Sequence, residues 1–181
     1  MSRTWFAFIP NLISLARLVL APLSVEMIIE RRWQEALAIF VVAGLSDALD
    51  GWIARRFDLR SELGAYLDAL ADKALLVCNY ITLASIGQAP LFLVLLVVTR
   101  DLLIVGAVLL CWLLDKPMTI SPHVLSKANT AAQIAFVALL LGSLAFGLPT
   151  PWFAAGVWLV AALTLASLAA YFRRWVAHMT A

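Results

Sequence analysis

Apolar residues along the chain fall in long runs, and short polar breaks separate one run from the next. Because a membrane-spanning helix needs about 17–25 mostly apolar residues, these runs predict six transmembrane helices. The predicted spans cover residues 11–29, 35–52, 63–86, 89–114, 122–146 and 151–175. An open sheet would leave backbone groups unpaired in hydrocarbon, and the strict alternation of barrel strands is absent. The pattern therefore predicts an all-α integral membrane protein.

The polar breaks are short, so we expect a single domain over residues 1–181. Its first nine residues, MSRTWFAFI, place a basic side chain beside three aromatic ones. A segment of this kind can lie flat in the membrane interface, and we expect a short N-terminal interfacial segment over residues 1–9. A frayed terminus is the alternative.

Composition supports a membrane environment and excludes some classes of partner. The chain is 64% hydrophobic and 13% charged, whereas soluble domains are about 45–50% apolar. The net charge is only +2 and the basic residues are scattered, so no nucleic-acid partner is expected. Cys78 and Cys111 lie inside apolar runs without ligand-like spacing, which favours small buried side chains over a disulfide or a metal site.

The distribution of basic residues predicts the orientation. Six spans place both termini on one side, and that side collects Arg3, Arg55, Arg56, Arg60, Lys116, Arg173 and Arg174. The opposite side carries Arg31 and Arg32. Since cytoplasmic loops are enriched in Lys and Arg, both termini are expected in the cytoplasm. No Arg- and Ser-rich leader is present, so a bacterial inner membrane is expected rather than a mitochondrial one.

Four acids interrupt the apolar pattern in the middle of the chain. Asp47 and Asp50 are three residues apart, and Asp68 and Asp72 are four apart, so each pair shares one face of a helix. The short loop between the two spans places both pairs at one depth near the cytoplasmic surface. Four carboxylates in a poorly hydrated site repel one another unless cations neutralise them. Oxygen ligands suit Mg²⁺ or Mn²⁺, and two such ions are expected.

An alternative explanation of the acids needs no metal. Acidic pairs at helix ends are usually solvated or paired with basic side chains, and four of these are close in sequence: Arg55, Arg56, Arg60 and Lys73. Small residues on the same faces favour a bound group instead, because Gly51, Ala54 and Gly64 leave room beside the helices. Metal ions held by carboxylates often serve phosphate chemistry, and a guanidinium can add donors to the phosphates.

The string Asp47-x-x-Asp50-Gly51-x-x-Ala54-Arg55, followed after eight residues by Gly64-x-x-x-Asp68-x-x-x-Asp72, resembles the signature of the CDP-alcohol phosphatidyltransferases. Every signature position is filled. The resemblance implies a six-helix membrane fold, usually dimeric, that moves a phosphatidyl or similar group from a CDP-linked donor to an alcohol and releases CMP.

The resemblance also implies roles for individual residues. The divalent-metal ligands would be Asp47, Asp50, Asp68 and Asp72, with Asp72 as the catalytic base for the acceptor hydroxyl. Gly51, Ala54 and Arg55 would lie against the CDP moiety, and Gly64 would permit its close approach.

Other polar residues within the spans are candidates for the acceptor pocket, because intramembrane polar groups are usually functional. The candidates are Asn11, Arg17, Arg100, Asp101, Lys127, Asn129, Thr130 and Gln133. Two structural alternatives stay open. Arg100 and Asp101 could form an ion pair, and the polar residues of the fifth span could join helices by hydrogen bonds.

The stretches PNLISLAR, TRD and SKANTAAQ resemble one branch of the family, the CMP-forming cardiolipin synthases. The related phosphatidylglycerophosphate synthases tend to carry Lys where this chain has Asn129. Losing that cation favours phosphatidylglycerol as the acceptor for CDP-diacylglycerol, with glycerol 3-phosphate as the alternative. Beyond Phe146 no stretch is specific to the family.

A divalent-cation transporter is the alternative from another class, with the facing carboxylates as an ion path. A transport path needs polar groups at both depths of the membrane. Here they crowd toward one face, and the outer halves of several spans are nearly all apolar. The sequence therefore favours the enzyme.

Overall fold

The computed structural model describes residues 3–56, 62–113 and 124–179, all within helices or the short turns that join them. The helices are α1 (Arg3–Ile29), α2 (Trp33–Arg56), α3 (Glu62–Ser85), α4 (Leu91–Leu113), α5 (Val124–Phe146) and α6 (Phe153–Met179). For some helical residues only the backbone is described and the side chain is not: 3–11, 48, 50–56, 62, 63, 65–67, 69, 108, 109, 112, 178 and 179. No strand occurs in the described ranges, and the predicted all-α fold is confirmed.

Each predicted span coincides with one helix, and the main difference is at the first. This helix begins at Arg3 instead of residue 11, so the expected interfacial segment is continuous with α1 from that residue onward. Among the described residues, Leu12–Ile29, Val124–Phe146 and Phe153–Ala177 are long and apolar enough to cross a membrane. Acidic and basic residues interrupt the apolar character of α2 and α3. The count of six transmembrane spans stays a prediction.

Sharp reversals end α1, α3 and α5 in the same way. The residue after the last turn has a positive φ in each case: 58° at Arg31, 76° at Gly87 and 62° at Gly147. The next amide reaches back across the turn, as from Arg32 N to Met27 O at 2.8 Å and from Gln88 N to Leu83 O at 2.8 Å. This is the Schellman termination of a helix, which satisfies carbonyls that would otherwise lack partners.

The chain divides into two compact units. The first unit contains residues 1–88 and 137–149, and in it α1 packs against both α2 and α3. Its core includes Ile28, Tyr80 and Leu83, none of which has exposed surface. A buried hydrogen bond from Ser24 Oγ to Asn79 Oδ1, 2.9 Å long, joins α1 to α3. Hydrogen bonds of this kind hold helices together where lipid removes the hydrophobic driving force.

The second unit contains residues 89–136 and 150–181, and in it α4 packs against α6. The ring of Phe136 on α5 lies 6.0 Å from that of Trp152 and 5.7 Å from that of Phe153. A Cβ atom at Gly156 would lie 3.1 Å from the same Phe136 ring, so the missing side chain permits this close packing. The prediction of one domain over residues 1–181 stays a prediction.

Polar and apolar side chains are distributed in the reverse of the order found in soluble proteins. Large apolar side chains are exposed on every helix, among them Leu15, Val42, Ile81, Leu95, Leu139 and Trp158. Polar side chains are buried instead, among them Arg17, Asn79, Arg100, Asn129, Gln133 and Thr164. Contiguous apolar surface of this extent requires a lipid environment. The chain is an integral membrane protein.

Candidate active site

Three carboxylates from two helices converge in the first unit. One oxygen from each of Asp47, Asp68 and Asp72 lies within 4.8 Å of the other two. Asp68 and Asp72 stand one turn apart on α3, because residues at i and i+4 share a helix face. Asp47 comes from α2. These side chains are 40%, 37% and 45% exposed, so the cluster is accessible from outside the protein.

Arg17 reaches the same cluster from α1. Its Nη1 lies 3.0 Å from Asp47 Oδ1 and 3.1 Å from Asp68 Oδ1 and also contacts Asp72 Oδ1, so its two protons are shared among three acceptors. Ser14, one turn earlier on α1, donates from Oγ to Asp68 Oδ1 at 3.3 Å. The Arg17 side chain is only 1% exposed. A buried guanidinium is stable only when it is paired, and the cluster supplies that pairing.

The sequence analysis placed Arg17 in the acceptor pocket and did not predict its contact with the carboxylates. A signal for the contact exists in the sequence, because Arg17 is the only basic residue between positions 4 and 29. A lone cation in an apolar helix needs an anionic partner, and the paired acids of the next two helices are candidates for it. The acceptor role of Arg17 stays a prediction.

The donor set fits a divalent cation. All three converging ligands are carboxylate oxygens, the type that Mg²⁺ and Mn²⁺ prefer. Asp47, Asp68 and Asp72 could therefore hold such an ion. Gly64 lies on α3 one turn before Asp68, on the same face. The other residues predicted for the metal and CDP sites, Asp50, Gly51, Ala54 and Arg55, have side chains outside the described residues, as does Asn11.

Predicted acceptor residues of α4 form a buried ion pair in the second unit. Arg100 Nη1 donates to Asp101 Oδ1 at 2.6 Å, which is the ion pair that the sequence analysis left open. Its Nη2 donates to Ser126 Oγ at 2.8 Å and to Ser167 Oγ at 2.7 Å. The guanidinium carbon also lies 5.6 Å from the centre of the Tyr171 ring, within range of a cation–π interaction. Arg100 thus joins α4 to α5 and α6.

Predicted acceptor residues of α5 form a second buried cluster with α6. The Thr164 hydroxyl oxygen lies 2.9 Å from Asn129 Oδ1 and 2.7 Å from the carbonyl oxygen of Val160, and its one proton serves one of these acceptors at a time. It accepts a weak hydrogen bond from Gln133 Nε2 at 3.5 Å. Asn129, Gln133 and Thr164 have no exposed surface. Asn129 Nδ2 is buried and has no hydrogen-bond partner among the described residues.

The remaining candidates on α5 are less enclosed. Lys127 is exposed and Thr130 is half-buried. The α6 contribution was missed by the sequence analysis, which found nothing specific beyond Phe146. Thr164, Ser167 and Tyr171 lie at i, i+3 and i+7, so they form one polar stripe on an apolar helix. From that spacing, the contribution of α6 could have been predicted.

Comparison with known proteins identifies the family. The family model for CDP-alcohol phosphatidyltransferase matches residues 7–173. The chain belongs to this family. The match includes α2 to α5 and most of α1 and α6, and it confirms the resemblance that the acidic signature indicated.

The curated relatives described here carry two kinds of name, which state two different enzymes. Human "Cardiolipin synthase (CMP-forming)" is 35% identical over 177 residues, which cover 89% of this chain and 59% of the relative. The Bacillus subtilis "CDP-diacylglycerol--glycerol-3-phosphate 3-phosphatidyltransferase" is 31% identical over 190 residues, covering 95% of this chain and 97% of the relative. A chloroplastic rice protein with the corresponding name is 34% identical, with 57% of it covered. The chain thus spans less than two thirds of the human and rice relatives.

Proposed function

We propose that the protein transfers a phosphatidyl group from CDP-diacylglycerol to phosphatidylglycerol, with cardiolipin and CMP as products. The convergence of Asp47, Asp68 and Asp72 carries this proposal. Three carboxylates gathered from two helices repel one another, and a metal-dependent phosphoryl reaction explains why a membrane protein tolerates that repulsion. Family membership and the cardiolipin synthase relatives support the same conclusion.

The proposed cofactor is Mg²⁺ or Mn²⁺, with two ions. Asp47, Asp68 and Asp72 would hold it together with Asp50 of the signature. When bound, the metal would neutralise charge on the diphosphate of the donor. The oxygen-only donor set supports this assignment and gives no basis for a softer metal such as zinc.

Asp72 is the proposed general base. The hydroxyl oxygen of the acceptor attacks the phosphorus of the phosphatidyl group and forms a new P–O bond. The P–O bond to CMP breaks, CMP leaves with its electron pair, and the hydroxyl proton passes to the Asp72 carboxylate. An alcohol is a weak nucleophile until its proton is accepted. The Asp72 side chain is 45% exposed, which supports access by a lipid hydroxyl.

Donor binding is assigned to the signature residues between the two acidic pairs. Arg55 would donate to the diphosphate, while Gly51 and Ala54 would lie against the CDP moiety. Gly64 would permit close approach of the donor to α3. The chemistry of Arg55 supports its role, because the N–H donors of a planar guanidinium can pair with two phosphate oxygens.

The choice of acceptor depends on Asn129, which supports phosphatidylglycerol. A phosphomonoester such as glycerol 3-phosphate carries a charge that favours a cationic partner, whereas an amide suits a neutral hydroxyl group. Asn129 Nδ2 is buried without a partner among the described residues, and a buried unpaired donor costs about 1–3 kcal/mol. A bound acceptor oxygen would remove that cost. Arg100, Asp101, Lys127, Thr130 and Gln133, with Asn11 and Arg17, are the other proposed acceptor residues.

Glycerol 3-phosphate remains the second candidate acceptor. It is favoured by the Bacillus subtilis relative, whose name states this substrate and of which 97% is covered by the match. The enzyme would then make phosphatidylglycerophosphate by the same chemistry, with the same donor and the same release of CMP.

The proposed setting is a bacterial inner membrane. Both termini and the active site would face the cytoplasm, in keeping with the basic residues on that side. The chain would act as one six-span domain, with residues 1–9 at the interface and surrounding lipids as solvent. A homodimer is proposed from the family resemblance.

The test is CMP release by purified protein in lipid vesicles that contain CDP-diacylglycerol and Mn²⁺ or Mg²⁺. Phosphatidylglycerol and glycerol 3-phosphate are offered separately, and the lipid product is identified by mass spectrometry. CMP release with cardiolipin as product is expected. Release only with glycerol 3-phosphate would overturn the acceptor assignment and retain the phosphatidyltransferase, and no CMP release with either would overturn both.

A further inference from the structure

A single nitrogen atom of Arg17 lies at the meeting point of the three carboxylates. Oxygens of Asp47 and Asp68 lie 3.0 Å and 3.1 Å from Nη1, and an oxygen of Asp72 contacts the same atom. Nη1 carries two protons, so it cannot donate a straight hydrogen bond to all three oxygens at once. The three carboxylate oxygens surround Nη1 in the way that oxygen ligands surround a metal ion.

The charges at the cluster are also unequal. Among the described side chains that these contacts join, three carboxylates meet one guanidinium, that of Arg17. Arg17 is buried at 1% exposed, whereas the carboxylates are 37% to 45% exposed. Arg17 therefore approaches the cluster from its buried side, whereas each of the three carboxylates keeps exposed surface.

We propose that Arg17 is a positioning residue that competes with the divalent ion for Asp47, Asp68 and Asp72. Nη1 holds the three carboxylates together and reduces their repulsion. A divalent ion held by Asp47, Asp68 and Asp72 would compete with Nη1 for the same oxygens. This inference rests on the metal dependence in the proposed function.

Two opposite effects of removing Arg17 follow from this geometry. Metal-free protein loses stability, because three carboxylates then repel one another without a cation. The affinity for the metal increases, because the ion no longer displaces a bound cation. A residue with a merely structural role would lower stability without strengthening metal binding, so the pair of effects is specific to competition.

The test measures Mn²⁺ binding directly, by the electron paramagnetic resonance signal of free Mn²⁺, on protein purified in detergent and stripped with EDTA. Wild type is compared with Arg17→Met, which keeps an unbranched side chain and removes the charge. Arg17→Lys retains a cation. Ser14→Ala is the matched control, because it removes a neutral hydrogen bond to the same Asp68 oxygen. Melting temperatures are recorded with and without Mn²⁺.

We expect Arg17→Met to bind Mn²⁺ about tenfold more tightly or better than wild type, since a like charge a few ångströms from an ion weakens its binding substantially. Metal-free Arg17→Met should melt at a lower temperature than wild type. Its melting temperature should rise more than that of wild type when Mn²⁺ is added. Arg17→Lys and Ser14→Ala should remain within about threefold of the wild-type affinity, the usual scatter for one interaction. Unchanged or weaker Mn²⁺ binding by Arg17→Met would overturn the inference.

Two further measurements keep the result interpretable. If metal-free Arg17→Met aggregates, the variant is purified with Mn²⁺ and EDTA is titrated into it. Removing Mn²⁺ from the variant should then take more EDTA than removing it from wild type. Guanidinium ion added at low millimolar concentration should weaken Mn²⁺ binding by Arg17→Ala more than by wild type. In the variant, the free ion can occupy the position of the missing Arg17 guanidinium. If wild type binds no Mn²⁺, the proposed metal dependence fails as well. If it binds Mn²⁺ and Arg17→Met binds no better, only the inference fails.

Discussion

The hydroxyl oxygen of Thr164 on α6 lies 2.9 Å from the amide oxygen of Asn129 on α5, and neither residue has exposed surface. The contact holds Asn129 Oδ1 toward α6 when the Thr164 hydroxyl donates to it. With Oδ1 directed toward Thr164, the amide presents Nδ2 as a donor that has no partner among the described residues. Thr164 is thereby connected with the proposed acceptor site, although it lies in a helix for which no site residue was predicted.

Thr164→Val should raise KM for phosphatidylglycerol about threefold to tenfold, in line with the loss of one buried hydrogen bond of about 0.5–1.5 kcal/mol. KM for CDP-diacylglycerol should not change. Thr82→Val is the matched control, since the Thr82 hydroxyl is also buried and donates to a carbonyl of its own helix, that of Cys78 at 2.7 Å. Equal changes in KM for both substrates would show that Thr164 acts on folding alone, and Thr164→Ser should restore the wild-type value.

Replacement of Asn129 by lysine should change the choice of acceptor. Asn129→Lys places an ammonium where the amide is, and this cation can pair with the phosphate of glycerol 3-phosphate. The ratio of kcat/KM for glycerol 3-phosphate to that for phosphatidylglycerol should rise about tenfold, which corresponds to about 1.4 kcal/mol. Ala128→Lys adds the same charge at the neighbouring exposed position and should leave the ratio unchanged. An unaltered ratio in Asn129→Lys would remove Asn129 from acceptor selection.

Asp72→Asn should lower kcat by about 100-fold or more, the usual contribution of a positioned general base. Binding of CDP-diacylglycerol should be largely retained, because the proposed work of Asp72 is on the acceptor proton. Both quantities are measured in the same detergent preparation, by CMP release and by equilibrium binding of labelled donor. Glu35→Gln also removes one acid, from the exposed start of α2 where it pairs with Arg32, and should keep wild-type turnover. Near-normal turnover in Asp72→Asn would end its assignment as the base.

The convergence of Asp47, Asp68 and Asp72 was predictable from sequence because much of its geometry is local. Asp68 and Asp72 share a face through the four-residue spacing, and a short loop brings Asp47 near them. The bounds of the helices were also largely predictable, since the apolar runs are long and the breaks contain glycine and proline. The start of α1 at Arg3 was missed, because an aromatic and basic segment is compatible with a helix and with an interfacial segment.

The contacts of Arg17 and Thr164 were not predictable to the same degree. The partner of Arg17 depends on how α1 is rotated against α2 and α3, and local spacing does not specify that rotation. Thr164 can satisfy its hydroxyl on the carbonyl of Val160 in its own helix, so its sequence position gives no sign that it also contacts Asn129. Both contacts arise from packing between helices.

The most direct test of the account is the metal dependence of CMP release from CDP-diacylglycerol and phosphatidylglycerol, in wild type and in Asp68→Asn. Each protein is assayed as purified, after EDTA treatment, and during titration with Mn²⁺ or Mg²⁺. The account predicts that wild type loses its activity on chelation and regains it with metal. Asp68→Asn should need about tenfold more metal for half-maximal rate, because a neutral amide replaces a charged ligand. Full activity after chelation, or the same metal requirement in both proteins, would contradict the central claim.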